Sequence, residues 1–419
     1  MASHWLLAVA FFSYLAASIL YVAGFIGQRR LALAAAGAAG GQATGVGPGG
    51  TPAAGEFYWK APGWAFALAT LGTLAHAGGI LARWQGAGHW PTANLYEFVG
   101  FMSFCSMVAF QVLYRLYRFP VLGALATPVT VALLAYSYVF PREVEPLIPQ
   151  LRSHWLTLHV SFAALGEGFF AVAFAAALLY LLRTREAEKE SRLAGLALES
   201  IFWFASTVLT FVVLAYLLRY VLGQEWAIVL DRGVARYHLP PIIGPEGSTP
   251  GQAGSLFGLP LPLVAVPGWI KGKNANTFLF AVALGTPVYY LLRRLLCRGL
   301  PFREALARLA QGLDADLLDE ISYRAVAIGY PVFTLGALVF AMFWAKVAWG
   351  RYWFWDPKET WAFISWLIYS AYLHLRLTRG WEGRVSAWMA VIGFGAILFT
   401  LVGVNLLIVG LHSYAGGDL

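Results

Sequence analysis

The residues best suited to chemistry lie in one short stretch, WGRYWFWDPKETW, from Trp349 to Trp361. An aromatic belt at a membrane interface accounts for a few such residues at a helix end. It does not account for this number of aromatic side chains around a glycine, a proline and four charges. Indoles can pack on a flat ring and cations can meet carboxylates, so the stretch predicts a site for a flat apolar ligand with an anionic edge. The residues that we expect to form it are Trp349, Arg351, Trp353, Trp355, Asp356, Lys358, Glu359 and Trp361.

Two histidines are placed to complement this stretch. His159 and His412 lie at the same end of two predicted helices, on the side where the tryptophan-rich stretch opens. Two neutral imidazoles from different helices, beside an aromatic platform, suit six-coordinate haem iron. A single histidine at a helix end is usually only an interfacial polar residue. His154 is an alternative ligand, but it lies about 140° around the helix from His159, so the two cannot readily serve one iron.

A third histidine, His374, lies near the opposite end of its predicted helix, about 20 Å from Trp361 at 1.5 Å per residue. An ionisable side chain at such depth in a membrane is a functional candidate by default. The depth of His76 does not match that of His374. A second ligand for a haem at His374 is therefore expected from another subunit.

The elements that must position these residues are membrane helices. Of the 419 residues 59% are hydrophobic and 12% charged, with a mean hydropathy of +0.66, which predicts an all-α polytopic transmembrane bundle. The first segment lacks a convincing cleavage site and is expected to be a retained helix. About ten segments qualify as spans: 4–26, 62–83, 95–114, 121–140, 155–182, 199–222, 276–296, 323–345, 361–376 and 387–411.

Basic residues cluster in alternate connections between these segments, and placing them all in the cytoplasm puts both termini on the outer side. The net charge of +8 then reflects retained loop charges and does not indicate a nucleic acid partner. The clusters are Arg29 and Arg30; Arg115 and Arg118; Arg183, Arg185, Lys189 and Arg192; Arg293, Arg294, Arg298, Arg303 and Arg308; and Arg376, Arg379 and Arg384.

Composition divides the chain into five parts. An N-terminal helix at 1–30 precedes a flexible, Ala/Gly-rich cytoplasmic loop at 31–59. Transmembrane helices that include His159 fill 60–222, an irregular outer loop fills 223–275, and the haem-handling region with the tryptophan-rich loop 349–361 fills 276–419. The segment PFREALARLAQGLDADLLDE reads as one amphipathic helix. The two cysteines form no CxxC pair, and there is no CxxCH, so neither a thiol relay nor a c-type cytochrome is indicated.

Together these residues resemble the CcsA/ResC family of cytochrome c maturation proteins. The similarity runs from about residue 60 onward and is carried by PTANLYEFVGF, HWLTLHVSF, LDEISYRAVAIGYPVFTLG, WGRYWFWDPKETW, YLHLRLTRGW and GVNLLIVGLHSY. The chain differs from short plastid-type members by an additional helix pair around the loop 223–275. An added pair preserves the orientation of the helices that follow.

The resemblance implies that His159 and His412 ligate haem b at the outer face, against the loop 349–361. It implies that His374 ligates a transmembrane haem whose other ligand belongs to a CcsB/ResB-type subunit. The expected activity is that of a holocytochrome c synthase component acting on CxxCH apocytochromes, served indirectly by a thiol-reducing pathway. Membrane lipids are expected around it, in a bacterial cytoplasmic membrane with the active face outside, or in a thylakoid membrane.

Other function classes are open at this point. A haem exporter or chaperone would use the same loop and release its haem to a carrier. A b-type electron-transfer subunit would hold its haems permanently. A secondary transporter is disfavoured because the sequence shows no internal repeat. Either Arg351 or Lys358 could meet the haem propionates, or could instead pair with Asp356 or Glu359.

Overall fold

The computed structural model describes residues 2–40, 52–138, 140, 142, 144, 151–186, 190–230, 233–237, 239–267 and 270–404. Over these ranges the chain is predominantly helical. The helices are α1 Ala2–Gly40, α2 Pro52–Ala87, α3 Leu95–Tyr117, α4 Gly123–Ser137, α5 His154–Arg183, α6 Arg192–Tyr216, α7 Gly272–Leu296, α8 Phe302–Ala310, α9 Ala315–Phe333, α10 Ala341–Trp349, α11 Pro357–Arg379 and α12 Arg384–Leu398. Three π-helical stretches extend or join them: Leu217–Val221, Thr334–Phe340 and Phe399–Val404.

The helices have the length and composition of membrane spans. Within the described ranges, nine are long and apolar enough to cross a bilayer. This confirms an all-α polytopic fold and an integral membrane protein. The predicted span 361–376 falls in α11, which is long enough but is not among the nine. The sidedness of the termini stays a prediction, and the span 387–411 runs past the last described residue.

The first two helices form an antiparallel hairpin held by close contacts at glycines. A Cβ atom at Gly79 would lie 3.0 Å from the Leu7 side chain, and one at Gly72 would lie 2.7 Å from the Tyr14 ring. Further along, Gly24 lies against Ala61. Small residues at these crossings let the two backbones approach, as is typical of helix pairs in membranes.

Helix α5 is the centre of the bundle and packs on α3, α9 and α12. Small residues in α5 and α9 permit the close approach of these helices. A Cβ atom at Gly168 would lie 2.8 Å from the Cys105 carbonyl carbon, and one at Gly329 in α9 would lie 2.8 Å from the Phe169 Cβ. A substitution at these positions would therefore push the neighbouring helices away from α5.

The pair α6 and α7 packs together at the side of this core and is tied to α8 by one carboxylate. Glu199 accepts hydrogen bonds from the backbone N–H groups of Phe302 and Arg303, at 2.9 and 3.1 Å, and from the Tyr289 hydroxyl. The carboxylate thus satisfies the N-terminal donors of α8 and fixes that helix against the pair.

The predicted irregular loop 223–275 contains short strands. They are β1 Trp226–Leu230, β2 Gly233–Tyr237, β3 Ile243–Gly244, β4 Ser255–Leu256, β5 Leu259–Pro260 and β6 Val264–Ala265, paired as β1–β2 and β4–β5 antiparallel and β3–β6 parallel. The buried Asn276 of α7 anchors them, because its side chain accepts from the Ile243 N–H and donates to the Pro240 carbonyl, both at 3.1 Å.

Two segments differ from the sequence prediction. The backbone is helical at 31–40 and 52–59, where a flexible loop is expected, while 41–51 lie outside the described residues. Alanine has the highest helix propensity, and extending an existing helix avoids the cost of a new nucleus. The predicted single amphipathic helix is two helices, α8 and α9, because Gly312 adopts a φ of 78° and Asp314 caps α9 by accepting from the Leu317 N–H.

Candidate functional site

A mostly apolar cavity opens between the N-terminal end of α3, the first half of α5, α10, the start of α11 and the end of α12. It encloses about 1180 Å³, its open mouth included. The lining residues that matter for chemistry are Asn94, His159, Glu167, Trp344, Lys358 and Glu359.

The His159 side chain is fixed in one tautomer. Its Nδ1 lies 2.9 Å from the carbonyl oxygen of Gly336. Because a carbonyl can only accept, Nδ1 must carry the proton, and in the neutral ring Nε2 then carries the lone pair. A metal-binding histidine is oriented in this way by a partner on its other nitrogen. The ring also lies parallel to the buried Trp344 indole, with centroids 5.8 Å apart and an interplanar angle of 12°.

The carbonyl that orients His159 belongs to the π-helical stretch between α9 and α10. The N–H of Ala341 also donates to the Gly336 carbonyl, so both lone pairs of this oxygen are used. A Cβ atom at Gly336 would lie 2.2 Å from the backbone nitrogen of Ala163. Only glycine permits this approach, and the approach brings the carbonyl within reach of His159. Single π turns of this kind recur at functional sites.

The start of α11 brings two charged residues to the cavity. Glu359 is buried, accepts from the Phe354 N–H at 2.8 Å, and with Asp356 forms a capping box at the helix start. Lys358, between them, is half-buried and also lines the cavity. It precedes the proposed span 361–376. Burial lowers the pKa of Lys358 to about 8; Lys271 adds to this shift, and Asp356 opposes it.

A buried ion pair fixes the part of the cavity wall that precedes α3. Arg83 Nε donates to Glu97 Oε1 at 2.6 Å, and both side chains are almost completely buried. The other carboxylate oxygen of Glu97 accepts from the Ala93 N–H at 2.8 Å, and Asn94 caps α3 by accepting from the Glu97 N–H at 2.9 Å. Both partners are needed, because removing one leaves an uncompensated buried charge.

The indoles of the predicted tryptophan-rich site lie beside the cavity and are not among its lining residues. Trp353 and Trp355 contact each other edge-to-face at 5.7 Å, and both contact Phe363. Trp361 packs on Phe399 at 4.2 Å, and Trp349 lies edge-to-face with Trp344 at 6.4 Å. Thus only Lys358 and Glu359 of the predicted set 349–361 line the cavity directly.

Other members of that set point elsewhere. Trp355 is exposed and has a φ of 57°, which is uncommon and strained for a residue with a side chain. Arg351 is exposed, and its guanidinium lies 5.5 Å from the centroid of the Phe354 ring. Asp356 is buried and caps α11. Of the two candidate cations, the geometry therefore brings Lys358 and not Arg351 to the cavity.

The other candidate histidines lie in different environments. His374 is exposed on the surface of α11 and does not line the cavity, whereas His76 is fully buried near Tyr14. His154 is exposed at the first position of α5. His412 lies outside the described residues, so its pairing with His159 stays a prediction.

Three lining residues were missed from the sequence. Trp344 lies five residues before the tryptophan-rich loop, with nothing in its spacing to separate it from core aromatics. In the sequence, Asn94 can be recognised only as a residue that caps a helix, and nothing indicates that it lines a cavity. Glu167 did carry a signal: it is a single carboxylate in an otherwise apolar span, eight residues after His159 and therefore about 80° from it around the helix.

Comparison with known proteins agrees with the residue pattern. The family described as cytochrome C assembly protein matches residues 92–235 and 276–412. Two relatives described as cytochrome c biogenesis protein CcsA come from Synechocystis sp. and Rippkaea orientalis. The first is 32% identical over 354 residues, which cover 84% of this chain and 86% of the relative. The second is 33% identical over 371 residues, which cover 85% of this chain and 92% of the relative.

A third relative with the same description, from Gloeobacter violaceus, is 31% identical over 345 residues, 81% of this chain and 83% of its own length. The first matched range includes His159 and the second includes Trp344 and Lys358, so the matches cover the helices around the cavity. The chain therefore belongs to the cytochrome c assembly protein family, as a CcsA-type protein of cytochrome c biogenesis.

Proposed function

We propose that the cavity holds haem b as a substrate, with His159 Nε2 as an iron ligand, and that the chain is the haem-handling subunit of a cytochrome c synthetase. The observation that carries the proposal is the Nδ1–H···O=C bond from His159 to Gly336, which fixes a neutral imidazole on the wall of an apolar cavity. Neutral imidazole is a usual ligand of haem iron. We assign the second outer ligand to His412.

The reaction at this site is thioether formation on haem. Each thiol of an apocytochrome CxxCH segment adds across a haem vinyl group; sulfur bonds to the carbon next to the ring and the thiol hydrogen goes to the terminal carbon. The macrocycle brings the reactive carbons, so the chain's residues contribute binding and orientation. The Trp344 indole packs parallel to the His159 ring and helps to orient it. We assign no residue as a general acid or base.

We assign the cation that meets the haem propionates to Lys358. With a pKa of about 8, its ammonium is charged below pH 8 and neutral above. Haem affinity is expected to be highest below pH 8 and to fall as the pH rises above it, by about ten- to a hundredfold, since a hydrogen bond to a charged group contributes about 1.5–3 kcal/mol.

Haem titrations between pH 6.5 and 9.5 test this assignment. Lys358→Arg should remove the decline, Lys358→Gln should bind weakly at all pH values, and the matched control Arg351→Gln should behave as wild type. A wild-type affinity that does not depend on pH, or an equal loss in Arg351→Gln, would contradict the assignment.

We also propose a path of haem through the protein, based on the placement of the histidines. His374 is exposed on α11 and separate from the cavity, which favours a transmembrane haem shared with a neighbouring subunit. We assign that neighbour to a CcsB/ResB-type protein. In this proposal haem enters near His374 on the cytoplasmic side and leaves, attached to an apocytochrome, on the outer side of a bacterial or thylakoid membrane.

An attachment assay separates a synthetase from a haem chaperone. The chain is co-expressed with its CcsB/ResB-type partner and a CxxCH reporter in cells that lack other attachment systems. We expect covalent haem on the reporter with the wild-type chain, little with His159→Gly, and wild-type amounts with the control His154→Gly. Bound haem without covalent product from the wild-type chain would favour a chaperone and contradict the proposal.

A further inference from the structure

The cavity contains an ionisable group to which the proposed function gives no role. Glu167 is the single carboxylate in α5 and lies eight residues, about 12 Å along the helix, from His159. It lines the same cavity as His159 and Lys358. Ionisable side chains at such depth are expensive and usually functional, so its presence needs an explanation.

The neighbours of Glu167 direct its side chain into the cavity. A Cβ atom at Gly166 would lie 2.7 Å from the Phe333 Cβ in α9, and one at Gly168 would lie 2.8 Å from the Cys105 carbonyl carbon in α3. The two glycines thus seat α5 tightly against both neighbouring helices. The side chain between them is half-buried and faces the cavity.

The Glu167 carboxylate is not held in one protonation state by its described neighbours. Among the described residues Glu167 makes no hydrogen bond and no ion pair. The Tyr369 hydroxyl of α11 is fully buried, has no hydrogen-bond partner in the part of the chain that the structure describes, and interacts electrostatically with the Glu167 carboxylate. A structural carboxylate such as Glu359 is instead held by backbone donors.

We infer that Glu167 takes up a proton when the haem iron in this cavity is reduced, and so couples the reduction potential of the haem to pH. The inference rests on the proposed function, because it requires haem at His159. Adding an electron to iron in an apolar cavity makes the site more negative. Coulomb interactions are strong there, so protonation of the nearest uncommitted carboxylate offsets that charge.

The step is balanced in charge and atoms. Ferric haem gains one electron from an external one-electron donor, and the ionised Glu167 carboxylate gains one proton from water at the cavity. The products are ferrous haem and a neutral carboxylic acid. No bond of the macrocycle is formed or broken. A ferrous iron is thereby stabilised at lower pH.

Other titratable groups lie near Glu167 on its own helix and on the helices packed around it. They are Cys105 on α3, His159 on α5, and Tyr369, Lys358 and Glu359 on α11. His159 is the iron ligand and Glu359 is committed to capping α11. The haem propionates are a further source of pH dependence, so the test must separate them from Glu167.

The test is a potentiometric titration of haem bound to the full-length chain, followed optically from pH 5.5 to 9. In the wild type the midpoint potential should fall with pH over part of this range, with a slope approaching 59 mV per pH unit, the value for one proton per electron. Glu167→Gln should have a flat profile there, and Glu167→Asp should retain a slope. The control Glu320→Gln removes a carboxylate that is paired with Arg324 outside the cavity, and should match wild type.

The outcomes distinguish this inference from the function on which it rests. A wild type without low-spin haem would overturn the proposed function. Bound haem with a flat wild-type profile, or with a slope that persists in Glu167→Gln, would overturn the role of Glu167 alone. If the slope persists in Glu167→Gln, the propionates or Lys358 would be the titrating groups. Recovery of the slope in Glu167→Asp excludes a purely structural effect of the substitution.

Discussion

Replacing Gly336 with alanine should displace the helix joint that orients His159 and strip haem from the protein. The added Cβ would lie 2.2 Å from the Ala163 nitrogen and 2.5 Å from the Phe162 carbonyl carbon, which are backbone atoms that cannot rotate away. The π-helical stretch must therefore move away from α5, and the 2.9 Å bond from His159 Nδ1 to the carbonyl must lengthen. Overpacking of this kind typically costs about 1–3 kcal/mol.

Thermal unfolding in detergent and the haem spectrum measure the two parts of this effect. We expect a lower midpoint of unfolding and a weakened or lost low-spin haem signal. Gly395→Ala is the matched control, because this position is also in a helix of the bundle, but no heavy atom of the described residues lies within 4 Å of the added carbon. If Gly336→Ala kept both the stability and the haem of the wild type, Gly336 would not be the element that positions His159.

The helical membrane fold could be predicted from the sequence because it depends on strong, local signals. Long apolar runs predicted α1 to α7, α9 and α12, and the charge clusters marked the connections between them. Boundaries were less predictable. Gly312 ends α8 and Asp314 caps the start of α9. In the sequence these two residues are a weaker signal than the apolar periodicity that continues from α8 into α9. The strands in 223–275 are two to five residues long and carry too little pattern to be recognised.

The candidate site was only partly predictable, because its geometry depends on helix crossings. His159 stood out by residue type and by position at a helix end. The contact that orients it joins residues 177 positions apart and depends on Gly336, whose role is visible only when α5 and the π-helical stretch are seen together. The tryptophan-rich loop was conspicuous in the sequence, yet its indoles pack mainly on one another and on Phe363 and Phe399.

The cavity wall and the tryptophan-rich loop would then have different roles in handling the proposed haem substrate. The cavity wall from α5, α10 and the start of α11 supplies an oriented imidazole, a parallel indole and a cation. The tryptophan-rich loop adjoins that wall and contains a strained, exposed residue, Trp355. We expect the loop to act at the rim, where an apocytochrome segment approaches, more than on the iron.

Loss of His159 should have the largest effect on haem binding, since it removes the proposed iron ligand and leaves a hole in which added imidazole can bind. The direct measurement is the optical spectrum of the purified wild-type, His159→Gly and His154→Gly chains, each with and without imidazole. The account predicts low-spin haem in the wild type and in His154→Gly, its loss in His159→Gly, and its return with imidazole. An unchanged low-spin spectrum in His159→Gly would contradict the assignment of this cavity as the haem site.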